Sequence, residues 1–185
     1  MCQRSNFNCC IVFLRRWHYN RAKGVGRMIN TTLCYITRGN EVLMLHRVKK
    51  QKDINKDKWI GVGGKFEGME SPDECLLREV YEETGLTLTS WKCRGVVTFI
   101  TEDDQGAFGE FMYLFTADSF EGQLKDCDEG ELQWISREFL DSLPKWEGDK
   151  IFLKLLWEDA PFFLLTLRYR GDKLQEAILD GKKIQ

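Results

Sequence analysis

The chain has 185 residues, of which 43% are hydrophobic and 12% aromatic, so it can bury one good core but not two ordinary domains. Residues 1–27 hold six basic residues and no acid, whereas the remainder carries 21 basic against 29 acidic residues. An acidic body argues against a general nucleic-acid binder. The apolar runs fall short of the roughly 18 residues that a membrane span requires.

The first 27 residues form a basic segment of their own. A secretory signal needs about 7–15 consecutive apolar residues, and the run from Cys9 to Leu14 is shorter and is followed by two arginines. A mitochondrial transit peptide is the alternative, although the segment is poor in serine. We predict that residues 1–27 are a disordered extension or result from a misassigned start, and that one domain spans residues 28–185.

The cysteines indicate the redox compartment. There are seven, an odd number without the paired spacing of a metal site. Cys34, Cys75 and Cys93 fall within apolar patterns, so we expect buried free thiols, which are typical of a reducing compartment. We therefore predict a cytoplasmic protein.

The predicted elements begin with a hairpin. Residues 31–37 and 42–47 are rich in β-branched, aromatic and aliphatic residues, and Gly39-Asn40 between them is typical of a turn. A polar, lysine-rich loop follows over residues 49–58. A short strand at residues 59–60 then runs into a glycine-rich turn, whose backbone can approach a ligand closely.

A helix is predicted over residues 72–84. Ser71 can cap it, Pro72 suits its first position, and Glu74 completes a capping box. Gly85 ends the helix.

The second half of the chain mixes strands and helices. Strands are predicted at residues 95–101, 111–117, 132–135 and 162–169, the last with a return strand from Lys173. Helices are predicted at residues 137–142 and 149–158. Because the elements do not alternate regularly, we expect an α/β fold of the sandwich type.

The helix over residues 72–84 carries the clearest chemical signal. Three carboxylates share one face of it, those of Glu79, Glu82 and Glu83. Leu77, Val80 and Tyr81 point roughly the opposite way and would anchor the helix on a core. Like charges this close repel each other unless a cation neutralises them, and carboxylate oxygens suit Mg²⁺ or Mn²⁺ better than zinc. A solvated acidic helix is the alternative.

A longer pattern surrounds this helix. Gly64 is followed after five residues by Glu70, and after seven more by the run from Arg78 to Leu86, REVYEETGL. This is the complete Nudix box, and the chain resembles the Nudix hydrolases from about Thr31 to Glu176. The resemblance implies an α/β/α sandwich with a mixed central sheet and a loop-helix-loop catalytic motif.

The resemblance also implies roles for single residues. Family enzymes use water to attack a nucleoside diphosphate linkage. The implied metal set is Gly64, through its carbonyl, with Glu79, Glu82 and Glu83, and Arg78 would orient a glutamate. The base varies between members, being a box glutamate such as Glu82 or Glu83, or an acid outside the box. Glu129 matches the outside position, with a solvated turn in an acidic loop as the alternative.

Within the family the chain is most similar to the oxidised-purine branch, the 8-oxo-dGTP diphosphatases of bacteria in particular. The segments KWIGVGGK at residues 58–65 and WEGD at residues 146–149 carry this likeness. It implies six substrate contacts: Trp146 against the purine, Asp149 at the edge of the purine, Arg47 on the phosphates, and Lys65, Thr32 and Phe99 in the pocket. The alternatives are packing for Trp146, Thr32 and Phe99, a helix cap for Asp149 and a surface position for Arg47.

The chain departs from part of this branch. Animal members have Asn where Ile60 stands and an acid where Gly148 stands, so two of their base-reading groups are missing here. The proline and the tyrosine that mark ADP-ribose and dinucleoside polyphosphate enzymes shortly after the box are not found, and Glu102 occupies that region.

We expect a hydrolase that converts an oxidised purine nucleoside triphosphate to its monophosphate and pyrophosphate with Mg²⁺, or Mn²⁺ in its place. Two alternatives stay open: a Nudix hydrolase of another nucleoside diphosphate-linked substrate, and a silent module that binds nucleotide or RNA. The intact box argues against the silent module. We expect no nucleic-acid or membrane partner and favour a monomer, although the sequence does not report the oligomeric state.

Overall fold

The computed structural model describes residues 27–50, 53–103 and 106–185. The predicted extension lies outside these ranges except for Arg27, where the first strand begins. The strands are β1 (Arg27–Arg38), β2 (Glu41–His46), β3 (Trp59–Ile60), β4 (Leu86–Asp103), β5 (Gly106–Gly122), β6 (Glu131–Ser136), β7 (Phe163–Arg170), β8 (Lys173–Leu179) and β9 (Lys182–Lys183). The helices are α1 (Pro72–Thr84), a 3-10 helix (Arg137–Ser142) and α2 (Asp149–Trp157).

The nine described strands form one mixed sheet. Their order is β3-β2-β1-β5-β4-β7-β8-β9. The remaining strand, β6, also pairs with β2. β1 lies parallel to β5 and β4 lies parallel to β7, whereas the other pairs are antiparallel. The long hairpin of β4 and β5 therefore joins the N-terminal strands to the C-terminal ones.

Helices cover both faces of the sheet because the strands alternate apolar residues between two cores. Along β1, Leu33 and Tyr35 join a core with α2, whereas Cys34 and Ile36 join a core with α1. The contributions of the helices are Phe152, Leu153 and Leu156 from α2, and Leu76 and Val80 from α1. This arrangement is the predicted α/β/α sandwich. No helix in the described part of the chain is long and apolar enough to span a bilayer.

The locally encoded elements match the predictions. The hairpin of β1 and β2 pairs Arg38 with Glu41 across a turn in which Gly39 has a φ of 59°. The helix α1 begins and ends where predicted: Ser71 accepts from the backbone N–H of Glu74, Glu74 accepts from that of Ser71, and Gly85 adopts the left-handed conformation with a φ of 77°.

The long strands extend beyond their predicted bounds. β4 begins at Leu86 instead of residue 95, and its register against β5 shifts between Leu88 and Ser90 and between Cys93 and Gly95. Each shift moves side chains to the other face, so the alternation that marks a strand is interrupted in the sequence.

Two burial predictions were wrong. Tyr81 does not anchor α1, because it is 57% exposed and lies beneath the Lys125 ammonium instead. Cys93 is exposed, whereas Cys34, Cys75 and Cys127 are buried free thiols.

Candidate active site

Arg78 organises the acidic face of α1. Its guanidinium donates to Glu79 at 2.8 Å and to Glu82 at 3.1 Å. Its other edge donates to both oxygens of Glu70, at 2.6 and 2.9 Å, and to the carbonyl of Lys65 at 3.0 Å. The ion pair lowers the pKa of Glu70 to about 2. Arg78 thus ties the helix to the preceding loop and orients two of the three glutamates.

The three glutamates differ in their access to water. The Glu82 side chain is 58% exposed and that of Glu79 is 15% exposed, whereas Glu83 is buried. Burial raises the pKa of Glu79, and it raises the pKa of Glu83 to about 7. A hydrogen bond of 3.0 Å from the backbone N–H of Gly63 opposes this shift in Glu83. The exposure of the carboxylates on the acidic face therefore decreases from Glu82 through Glu79 to Glu83.

Gly64 lies directly against this face. A Cβ atom at residue 64 would lie 2.4 Å from the carboxyl carbon of Glu79, so any other residue would displace the Glu79 carboxylate. Its carbonyl accepts from the backbone N–H of Thr32 at 2.8 Å, which fixes the glycine turn on β1. Gly64 and the Glu79 carboxylate, both assigned to the metal set from the sequence, therefore lie side by side.

The donor set at this place consists of oxygens alone, which fits a hard divalent cation. Among the described residues, no three acidic, histidine or cysteine side chains already converge as metal ligands. Instead, Arg78 holds Glu79 and Glu82, and Glu83 bonds to Gly63. A cation would have to compete with these contacts for the carboxylates.

Arg47 forms a second charged cluster across from α1. It donates to Asp53 at 2.7 Å, pairs with Glu129, and lies 3.9 Å from Glu83. Glu129 also pairs with Lys50. The Arg47 side chain is only 10% exposed, so the surface alternative for Arg47 was wrong. Glu129 is not merely solvated, because two cations hold it beside the acidic face.

Aromatic rings form the opposite end of the site. Trp146 meets Phe99 and Tyr169 edge to face, at centroid distances of 5.3 and 5.2 Å. Its indole N–H donates to Asn55 at 2.7 Å, and the ammonium of Lys58 lies 4.2 Å from the ring centre. Trp146 is thus a core residue that also borders the site, and Lys58 covers part of its ring.

Asp149 lies beside these rings. It is buried, and burial raises the pKa of its carboxyl to about 7. The cap position of α2 is Gly148, which makes no side-chain cap bond, so the helix-cap alternative for Asp149 was wrong. A Cβ atom at Gly148 would lie 2.7 Å from the Tyr169 hydroxyl, which accepts from the Gly148 N–H. Leu167 and Tyr169 therefore occupy the space that a side chain at residue 148 would need.

One cleft of about 590 Å³ joins the two ends. Its charged end includes five predicted residues: Gly64, Glu79, Arg47, Lys65 and Glu129. Its aromatic end includes the other four: Thr32, Phe99, Trp146 and Asp149. Arg78, Glu82 and Glu83 stand outside the lining. Arg78 donates to Glu79 and to Glu82, and Glu83 accepts from the backbone N–H of Gly63.

The cleft also contains residues that the sequence reasoning missed. Asp53 and Asn55 lie in a loop without periodicity, and Lys50 belongs to the same stretch. Glu110 precedes the predicted strand 111–117 by one residue, although β5 begins at Gly106. An acid among apolar residues on one face of that strand was the available signal.

The comparisons with known proteins decide the family. A family model described as the NUDIX domain matches residues 27–156, which is more than half of the chain. The chain belongs to the Nudix family. This Nudix protein is 34% identical over 140 residues to an uncharacterized Nudix hydrolase of Bacillus subtilis, covering 75% of this chain and 85% of that relative.

Two further relatives of this Nudix protein carry more specific names. It is 27% identical over 132 residues to the oxidized purine nucleoside triphosphate hydrolase of Danio rerio, which covers 71% of this chain and 83% of that protein. The crystal structure of a MutT protein from Bacillus halodurans superposes with a TM-score of 0.71 at 27% identity, covering 82% of this chain and 97% of the other. The predicted family and fold are therefore confirmed.

Proposed function

We propose that this Nudix protein hydrolyses oxidised purine nucleoside triphosphates, such as 8-oxo-dGTP, to the monophosphate and pyrophosphate with Mg²⁺. The observation that carries the proposal is the two-ended cleft. Carboxylates, a glycine and three basic residues lie at one end, and aromatic rings with a buried acid lie at the other. A triphosphate needs the first end and a purine suits the second.

The charged end supplies the metal ligands and the phosphate contacts. Glu79, Glu82, Glu83 and the Gly64 carbonyl would hold Mg²⁺, with Mn²⁺ as a substitute of similar chemistry. When bound, such an ion screens the triphosphate and lowers the pKa of a coordinated water.

The remaining residues of this end would orient the carboxylates or contact the phosphates. Arg78 keeps Glu79 and Glu82 in place through its hydrogen bonds. Arg47 and Lys65 border the cleft and would face the phosphates. The proton of the attacking water goes to one of two kinds of acid, a box glutamate such as Glu82 or Glu83, or Glu129 beside Arg47.

The aromatic end supports the purine preference. Trp146 and Phe99 give apolar surface for a flat base, and stacking on Trp146 requires the Lys58 side chain to move from the ring. Thr32 lines the same end. Asp149 can donate a hydrogen bond to the base while it is protonated. The name of the Danio rerio relative points to the same substrate class. Hydrolysis would remove damaged nucleotides before a polymerase uses them.

Kinetics with product identification test the proposal. The full chain, with Mg²⁺, would be assayed on 8-oxo-dGTP, dGTP and ADP-ribose at equal concentrations. We expect pyrophosphate and monophosphate from 8-oxo-dGTP, with the highest kcat/KM of the three. Comparable rates on ADP-ribose would indicate another nucleoside diphosphate-linked substrate. Tight binding of 8-oxo-dGTP without turnover would indicate a silent binding module. Either result would overturn the proposal.

A further inference from the structure

Glu110 places a further carboxyl group on the wall of the cleft, away from α1. It lies on β5, directly opposite Phe99 of β4, and its neighbour on the other side is Ile29 of β1. Directly opposed residues of an antiparallel pair point to the same face of the sheet. Glu110 and Phe99 accordingly both line the cleft, where Asp149 also lies.

The surroundings of Glu110 compensate its charge only in part. Burial raises the pKa of its carboxyl, whereas the nearby Thr31 hydroxyl and the positive charge of Lys65 favour the ionised form. Within the described ranges, no arginine or lysine lies within ion-pair distance of this carboxyl. Asp53 and Glu129, by contrast, are both paired with Arg47.

A partly buried carboxyl without an ion pair is costly for the free protein. It faces the space that the base would fill. Groups held in this way at a cleft are typical of ligand recognition, because a hydrogen-bond donor on the ligand satisfies them.

We propose that Glu110 is a specificity-determining residue that accepts a hydrogen bond from N7–H of an 8-oxopurine, while Asp149 meets another edge of the base. This rests on the proposed function. Oxidation at C8 converts N7 of guanine from an acceptor to an N–H donor, whereas unmodified guanine presents only acceptors at N7 and O6 on that edge. A carboxylate at this place attracts the oxidised base and repels the normal one.

The variant Glu110→Gln tests whether Glu110 sets the preference for the oxidised base. The glutamine amide can present an oxygen to N7–H of the oxidised base or an NH₂ group to N7 of guanine. In Glu110→Gln, the ratio of kcat/KM for 8-oxo-dGTP to that for dGTP should therefore fall by about tenfold or more. Glu110→Ala should lower kcat/KM for 8-oxo-dGTP by a similar factor and should improve dGTP less than Glu110→Gln does, because alanine removes the repulsion but offers N7 no donor.

Glu121→Gln is the matched control. Glu121 is an exposed glutamate near the other end of β5, and the ratio should be unchanged in that variant. The melting temperature of Glu110→Gln should be no lower than that of the wild type, since a partly buried charge without an ion pair is removed. dITP, which lacks the 2-amino group but keeps N7, should behave as dGTP does in every variant.

Three outcomes would overturn the inference. The ratio could stay unchanged in both variants at residue 110, both substrates could lose activity equally, or the variants could separate dITP from dGTP instead. Failure of the proposed function is distinguishable, because the wild type would then show no preference for 8-oxo-dGTP before any variant is made, and that result would overturn both.

Discussion

At the scale of single residues, Asp149 shows how burial sets charge in the cleft. Its carboxyl is buried beside Trp146 and Tyr35, and its pKa rises from an ordinary 3.8 to about 7 chiefly because water is excluded. The folded protein thus binds a proton more tightly than the unfolded chain between these two values. The stability of the fold therefore decreases as the pH rises from about 4 to about 7, and the full penalty applies above pH 7.

Asp149→Asn removes this penalty without changing the shape of the side chain. We expect the variant to exceed the wild type in free energy of unfolding by up to about 4 kcal/mol at pH 8, and by much less at pH 5. Urea denaturation at the two pH values measures the difference. Asp118→Asn, at an exposed position on β5, should show no pH-dependent gain. An equal gain for Asp149→Asn at both pH values would contradict the assignment.

Single residues also show which parts of the site can be predicted from the sequence. The carboxylates of the box could be located because their helical spacing and a fixed motif place them together. The partners of Arg47 could not, because Asp53 lies in a loop without periodicity and Glu129 is 82 residues away along the chain. Trp146 was predicted to face a purine, but its contact with Lys58 depends on the path of a loop without periodicity.

At the scale of elements, α1 is the element whose two ends are most clearly determined by the local sequence. Both partners of its capping box and its left-handed terminal glycine are present as predicted. β4 is the opposite case, since its bulges break the alternation and its parallel partner β7 lies far along the chain. Local signals determine a capped helix, whereas long-range pairing determines a strand of this kind.

Ser71→Ala tests the capping of α1. The variant leaves one backbone N–H at the start of the helix without its partner, so we expect a loss of about 1 kcal/mol in the free energy of unfolding. Thermal or urea denaturation measures this loss. Ser90→Ala, at an exposed position on β4, serves as the control and should be neutral. A Ser71→Ala variant as stable as the wild type would show that the cap contributes nothing.

At the scale of the whole molecule, the β4 and β5 hairpin unites the two ends of the cleft. The family match ends at residue 156, yet β7 and β8 continue the same sheet, and β7 supplies Leu165, Leu167 and Tyr169 to the core beneath α2. Tyr169 in turn contacts both Trp146 and Gly148. The aromatic end of the cleft therefore depends on strands beyond the family match, whereas the charged end depends on the box.

The central claim is that the carboxylates of α1 bind a divalent cation at the charged end of the cleft. The most direct measurement is a Mn²⁺ titration of the full chain by electron paramagnetic resonance, with a non-hydrolysable triphosphate analogue present. Glu82→Gln should weaken Mn²⁺ binding by about tenfold or more. Asp73→Asn, with the same charge change on the first turn of α1, should bind Mn²⁺ as the wild type does. Equal Mn²⁺ affinity in all three proteins would contradict the account.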